Sequence, residues 1–125
     1  MAPRLIKRGS IVLVRYPFTD LTSAKVRQAL VLTPDQYLPF LNDIIFLFIS
    51  SVMPKDLIPS DLLLSFEHPS FLATGLKFSS VFRAHKLAVL HKSLVLRLLG
   101  EADEALMVRI NACLREALGL REGSH

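Results

Sequence analysis

The chain has 125 residues, of which 51% are hydrophobic and 21% charged, with a formal net charge of +4 at pH 7. That length suits one domain, and that apolar fraction argues against disorder over most of it. The single cysteine, Cys113, excludes an internal disulfide framework and any multi-cysteine zinc or iron–sulfur site, and it fits a reducing compartment.

Gly9 marks a turn. The segment Ser10 to Tyr16 is β-branched and aromatic and predicts a strand. Pro17, which has no ladder N–H, ends it. A polar loop runs from Thr19 to Lys25, and Gln28 to Thr33 predicts a second strand stopped by Pro34. Pro39 and Asn42 punctuate the next loop. Asp43 to Ser51 is a third strand, so uniformly apolar that burial on both faces is expected. Pro54 and Pro59 frame another loop before a fourth strand, Asp61 to Phe66. His68 to Gly75 is a connection. Ser79 to Arg83 and Leu87 to Leu90 read as two short strands or one bent strand.

From Glu101 the period changes. Leu106, Ile110, Cys113, Leu114 and Ala117 share one face of a helix. Asp103 and Glu104 stand near its start, where the macrodipole favours negative charge. Gly119 is placed to end it in a left-handed conformation. On that apolar face Cys113 reads as a small core residue. Short strands followed by one helix predict a mainly β fold with α, a small antiparallel barrel with the helix across its open end. The domain covers residues 1–120, and residues 121–125 read as a tail, disordered or vector-derived. The apolar run Ile44 to Ile49 is far short of the about 20 residues that span a membrane. Lys7 and Arg8 interrupt the N-terminus, so neither a signal peptide nor a membrane partner is expected, and a cytoplasmic location is.

Charge is laid out in blocks. Residues 1–27 and 76–100 each carry +5, whereas 28–75 carry −4 and 101–125 carry −2. Two basic blocks on a shared face would attract polyanions; apart, they would be an ordinary solvated surface. His68, His85, His91 and His125 share no metal-ligand spacing, so no metal and no cofactor are expected. Ser50-Ser51 lacks the Gly-x-Ser-x-Gly context of a hydrolase nucleophile. Arg27 closes a polar loop just before an apolar strand. A guanidinium there can hold a phosphate through its planar fork, although position alone favours an ordinary strand-flanking arginine.

The stretch Gly9-Ser10-Ile11-Val12-Leu13-Val14-Arg15-Tyr16-Pro17-Phe18-Thr19-Asp20-Leu21, followed by Lys25-Val26-Arg27-Gln28-Ala29-Leu30-Val31-Leu32-Thr33, resembles the opening of PemK/MazF-family toxins. Thr74-Gly75-Leu76 and Val81-Phe82-Arg83-Ala84-His85-Lys86-Leu87 resemble that family's later motifs, and the resemblance spans roughly residues 7 to 118. It implies an SH3-like barrel and a homodimer. It also implies a metal-independent endoribonuclease toxin of a type II toxin–antitoxin system, cutting single-stranded RNA through the RNA's own 2′-hydroxyl. The implied catalytic residues are Arg27 and Ser50, with Ser51 as the neighbouring possibility. RNA is expected along Arg15, Thr19, Lys25, Gln28, Lys77, Arg83 and Lys86. A cognate antitoxin is the implied protein partner, with operator DNA reached only through it. Three positions depart from the family pattern: Ser10 and His85 stand where Asp is usual, and Gln28 where Pro is usual. The other function class is a non-catalytic nucleic-acid- or protein-binding module on the same barrel.

Overall fold

A computed structural model describes residues 6–17 and 25–120. Strand β1 is Ser10–Tyr16, β2 Lys25–Val31, β3 Asp43–Ser50, β4 Asp61–Leu64, β5 Ser80–His91 and β6 Val95–Glu101. Helix α1 is the single turn Phe71–Thr74, and α2 is Glu104–Leu118. All pairings are antiparallel, in the order β4-β5-β3-β2-β1-β6. Strand β5 is one long bent element. Strand β6 and helix α1 were not expected from the sequence; local pattern did not separate them from the connections around them.

The sheet is not closed, because β4 and β6 are not paired to each other. It is strongly curled instead. Only the 3-10 turn Lys92–Leu94 joins β5 to β6, yet those strands stand second and last in the sheet order. So short a link brings opposite sides of the sheet together, which gives the barrel-like form. The expected mainly β fold with a C-terminal helix is observed, and the small antiparallel barrel is an open, curled sheet.

Alternation along the strands builds two cores, one per face. On one face Ile11, Leu30, Leu47, Ile49, Leu62, Leu64, Phe82 and Ala84 pack with Leu106 and Ile110 of α2. On the other, Val12, Val14, Ala29, Val31, Ile44 and Phe46 pack with Leu90 and Val95. The central strand β3 feeds both, which is why it reads as continuously apolar. Helix α2 lies against β4 and β5. Cys113 packs at the margin of the first core, and burial pushes its thiol pKa up, as suits a core residue. No helix is long and apolar enough to cross a membrane among the described residues.

Two glycines fit α1 against β6. A Cβ on Gly75 would lie 2.0 Å from the Leu99 carbonyl oxygen, and one on Gly100 would lie 2.3 Å from that of Ala73. Backbone meets backbone there, so no side chain fits between.

Asp103 caps α2. Its Oδ1 accepts from the Leu106 N–H at 2.9 Å and from the Ser70 hydroxyl at 3.0 Å, tying the helix to the segment before α1. These bonds, the backbone one first, hold the Asp103 carboxyl pKa below the ordinary 3.8. A depressed carboxyl contributes stability above its unfolded-state value and loses it as pH falls through its folded one. Asp103→Ala is expected to cost about 1–2 kcal/mol at pH 7. Urea unfolding at several pH values should show that gap narrowing below pH 3.8. A gap that widened on acidification would contradict the capping role.

Candidate active site

Gln28 on β2 faces Ile49 on β3. The next facing positions along that pair are Arg27 and Ser50, at the end of the paired segment where both can reach solvent. Alternation puts Arg27 on the face of Ala29 and Val31, and Ser50 on the face of Phe46. Together they line a cleft of about 210 Å³ with Tyr16, Phe48, Ile49, Arg83 and Lys86.

Aromatic rings form part of its wall. Tyr16 and Phe48 meet edge to face, 5.3 Å apart at 85°. The Arg27 guanidinium carbon stands 5.9 Å from the centre of the Tyr16 ring, which orients the cation without consuming its N–H donors. The Ser50 hydroxyl accepts from the Val52 N–H at 3.0 Å and lies 3.3 Å from the Val52 carbonyl oxygen. That turn holds the hydroxyl at the strand end.

The cations from β5 arrive through a break in register. Leu47 faces Leu87 while Ile49 faces Phe82, so Phe48 alone spans what Arg83 to Lys86 fill on β5. Such a bulge re-aims side chains, and here Arg83 and Lys86 turn into the cleft. Asp61 on β4 then fixes Arg83. Its buried carboxylate Oδ1 accepts from Arg83 Nε at 3.1 Å, and Oδ2 accepts from the Ile58 N–H at 3.2 Å. His85 stands alongside, with Nδ1 3.7 Å from the same Asp61 oxygen and 3.3 Å from the Ser60 hydroxyl. Arg83 Nε is engaged by Asp61, and its Nη2 stands 3.5 Å from His85 Nε2 at the rim of the cleft. Arg27, Arg83 and Lys86 line the cleft with no acid among its described lining residues. This constellation can bind an anion and stabilise negative charge.

A model of PemK-like, MazF-like toxins of type II toxin–antitoxin systems matches residues 7–118. The chain belongs to that family. A comparison with curated protein sequences gave no match. Among solved structures, it is similar to an endoribonuclease in complex with its cognate antitoxin from a mycobacterial species. The TM-score is 0.70 at 21% identity, covering 95% of this chain and all of that one. It is similar to the Mycobacterium tuberculosis toxin MazF-mt6, with a TM-score of 0.73 at 15% identity over 90% and 99% of the two chains. A MazE-MazF crystal structure from Deinococcus radiodurans gives a TM-score of 0.72 at 20% identity over 95% and 100%. At these identities the likeness shows the PemK-like, MazF-like fold.

Within this toxin fold the expected residues divide. Arg27, Ser50, Arg83 and Lys86 share the cleft. Gln28, Ser51 and Lys77 line an adjoining groove of about 380 Å³ that shares Arg27 and Ser50. Arg15 and Lys25 are exposed on β1 and at the start of β2 and line neither. Thr19 lies outside the described residues. The basic blocks converge only in part. Lys7 pairs with Glu101 at 3.0 Å, and Arg8 bonds the Leu32 carbonyl and the Asn111 amide, so these serve the fold.

Ser10 still anchors its turn, since its hydroxyl accepts from the Lys7 N–H at 2.9 Å. Tyr16, Phe48, Phe78 and Asp61 were not expected in or behind the site. Strand parity could have found the first two, because Tyr16 shares a face with Val14 and Phe48 with Phe46. Nothing local marks Asp61, whose role depends on its pairing with Arg83 across β4 and β5.

Proposed function

We propose that this PemK-like, MazF-like toxin is a metal-independent endoribonuclease that cuts single-stranded RNA. What supports this is the meeting of Arg27 and Ser50 in a cleft that also holds Arg83 and Lys86. In the proposed reaction the RNA 2′-oxygen attacks the adjacent phosphorus and loses its proton. The bond from phosphorus to the 5′-oxygen breaks, that oxygen gains a proton, and a cyclic phosphate and a 5′-hydroxyl are left. Negative charge grows on the non-bridging oxygens in between. Arg27 from β2 and Arg83 from β5 meet that charge with fixed donors, and Ser50 contributes one neutral hydrogen bond. Ser51 is the neighbouring hydroxyl should a bound strand shift the register.

The test is incubation of the purified protein with a long mixed-sequence RNA in EDTA, with new 5′ ends mapped. Cutting should persist and leave 5′-hydroxyl ends. Loss of cutting on chelation with rescue by metal would overturn the mechanism. If no RNA is cut under any condition, the binding-module reading takes its place.

The proposal extends to partners. The toxin acts in the cytoplasm, where its RNA is, as a homodimer. A cognate antitoxin neutralises it by laying an acidic, apolar-dotted segment over the cations at the cleft, and operator DNA is reached only through that antitoxin. Light scattering at micromolar concentration should give twice the chain mass of 14.0 kDa. A mass equal to one chain would contradict the dimer.

A further inference from the structure

The groove beside the cleft holds groups that a phosphate does not need. Leu13, Gln28, Ile49 and Phe82 are successive partners across β1, β2, β3 and β5. The row is apolar except for Gln28, which is half-buried. Its side chain makes no hydrogen bond among the described residues, and its amide atoms are not sealed from solvent. Water can pair with this amide in the free protein, and a ligand that offers a matching donor and acceptor can replace that water. The amide's coplanar donor and acceptor match the edge of a nucleobase.

The same groove has an aromatic wall. Phe78 lines it and is 67% exposed, beside Lys77. In single-stranded RNA the bases are unpaired and can be splayed out, so an exposed ring offers a stacking platform and the base edges are free to be read. Position completes the argument. The groove shares Arg27 and Ser50 with the cleft, so a base lodged there belongs to a nucleotide next to the phosphate held in the cleft.

We infer that the groove is a nucleobase subsite, in which a base flanking the scissile phosphate stacks on Phe78 and is read at its edge by Gln28. The inference rests on the RNA-cutting function proposed above. The charge around the groove, Arg27 and Lys77 with no acid among its described lining residues, favours a polyanion as the occupant.

Cut sites on a long mixed-sequence RNA are to be mapped for the wild type, Gln28→Ala, Phe78→Ala and Phe78→Tyr, all matched for thermal unfolding. Gln28→Ala should broaden base choice at one position beside the cut while choice elsewhere is kept. Phe78→Ala should raise KM roughly tenfold, the size of one lost base–aromatic stack, with a smaller fall in kcat. Phe78→Tyr should restore KM. Unchanged base choice in Gln28→Ala together with unchanged KM in Phe78→Ala would overturn the subsite and leave the groove to a protein partner. Mixed-sequence single-stranded DNA, which has no 2′-hydroxyl to attack, separates the two layers by fluorescence anisotropy. If the wild type cuts no RNA, the catalytic reading fails, while weaker DNA binding by Phe78→Ala than by the wild type still supports the subsite. Equal DNA affinities would overturn it.

Discussion

Replacing Arg27 with alanine is expected to slow RNA cleavage by about 10²–10³-fold, the loss that follows removal of one fixed donor aimed at developing charge. Arg27 is exposed, and its ring contact with Tyr16 is the main thing it would lose within the protein. The fold should therefore survive, with unchanged far-ultraviolet circular dichroism and a melting temperature close to that of the parent. Arg27→Lys should fall in between, since lysine keeps the charge and loses the planar fork that can bond two phosphate oxygens at once. Single-turnover rates on a defined single-stranded RNA separate the three proteins. Undiminished cleavage by a folded Arg27→Ala protein would remove Arg27 from the mechanism, and Ser50 and Arg83 would then have to carry it. Growth inhibition on expression in cells should track the same order.

The largest expected loss of stability comes from a residue that does not line the cleft. Asp61→Ala leaves the Arg83 guanidinium without its counter-charge and the Ile58 N–H without its acceptor. Breaking a buried ion pair from one side is strongly destabilising. Here the Asp61 side chain is fully buried while that of Arg83 keeps 20% exposure, so water relieves part of the penalty. A loss of about 3 kcal/mol in urea unfolding is expected. Asp61→Asn keeps an oxygen for Arg83 Nε and should lose less. Function should separate from folding in the same pair of variants. At a temperature where both are folded, Asp61→Ala should cut RNA more slowly than Asp61→Asn, because Arg83 is then no longer held against the cleft. A urea midpoint for Asp61→Ala equal to that of the parent would show that the pair does nothing for the fold.

The β-branched and aromatic make-up of Ser10 to Tyr16, the stop at Pro17, the apolar run from Asp43, the 3.6-residue period beyond Glu101 and the glycine that ends the helix are all local signals. Each corresponds to an observed element: β1, β3, and α2 with its left-handed Gly119. They are readable because backbone propensity and side-chain period act within a few residues. Arg27 could be singled out for the same reason, as a guanidinium beside a polar loop with the family motif around it, although it is the third residue of β2 and does not precede the strand. Strand β6 was not. Val95 to Glu101 becomes a strand by pairing with β1, and its Gly100 is explained only by the approach of α1 from far along the chain.

The sequence by itself therefore determined β1, β3, β4, α2 and the family, placed the second strand three residues late, and singled out Arg27 and Ser50 as candidates. What the tertiary structure decided is which charges meet. Arg83 and Lys86 enter the cleft because of a register break in β5, and Arg83 is held by Asp61, a residue 22 positions away. Arg15 and Lys25, equally basic in sequence, are left outside it. Gln28 became informative only once three strands set it in an apolar row beside Phe78. Hydrogen-bond register between distant strands and the curl of an open sheet fix these meetings. Both depend on cross-strand packing between residues far apart in sequence, and no local period encodes that.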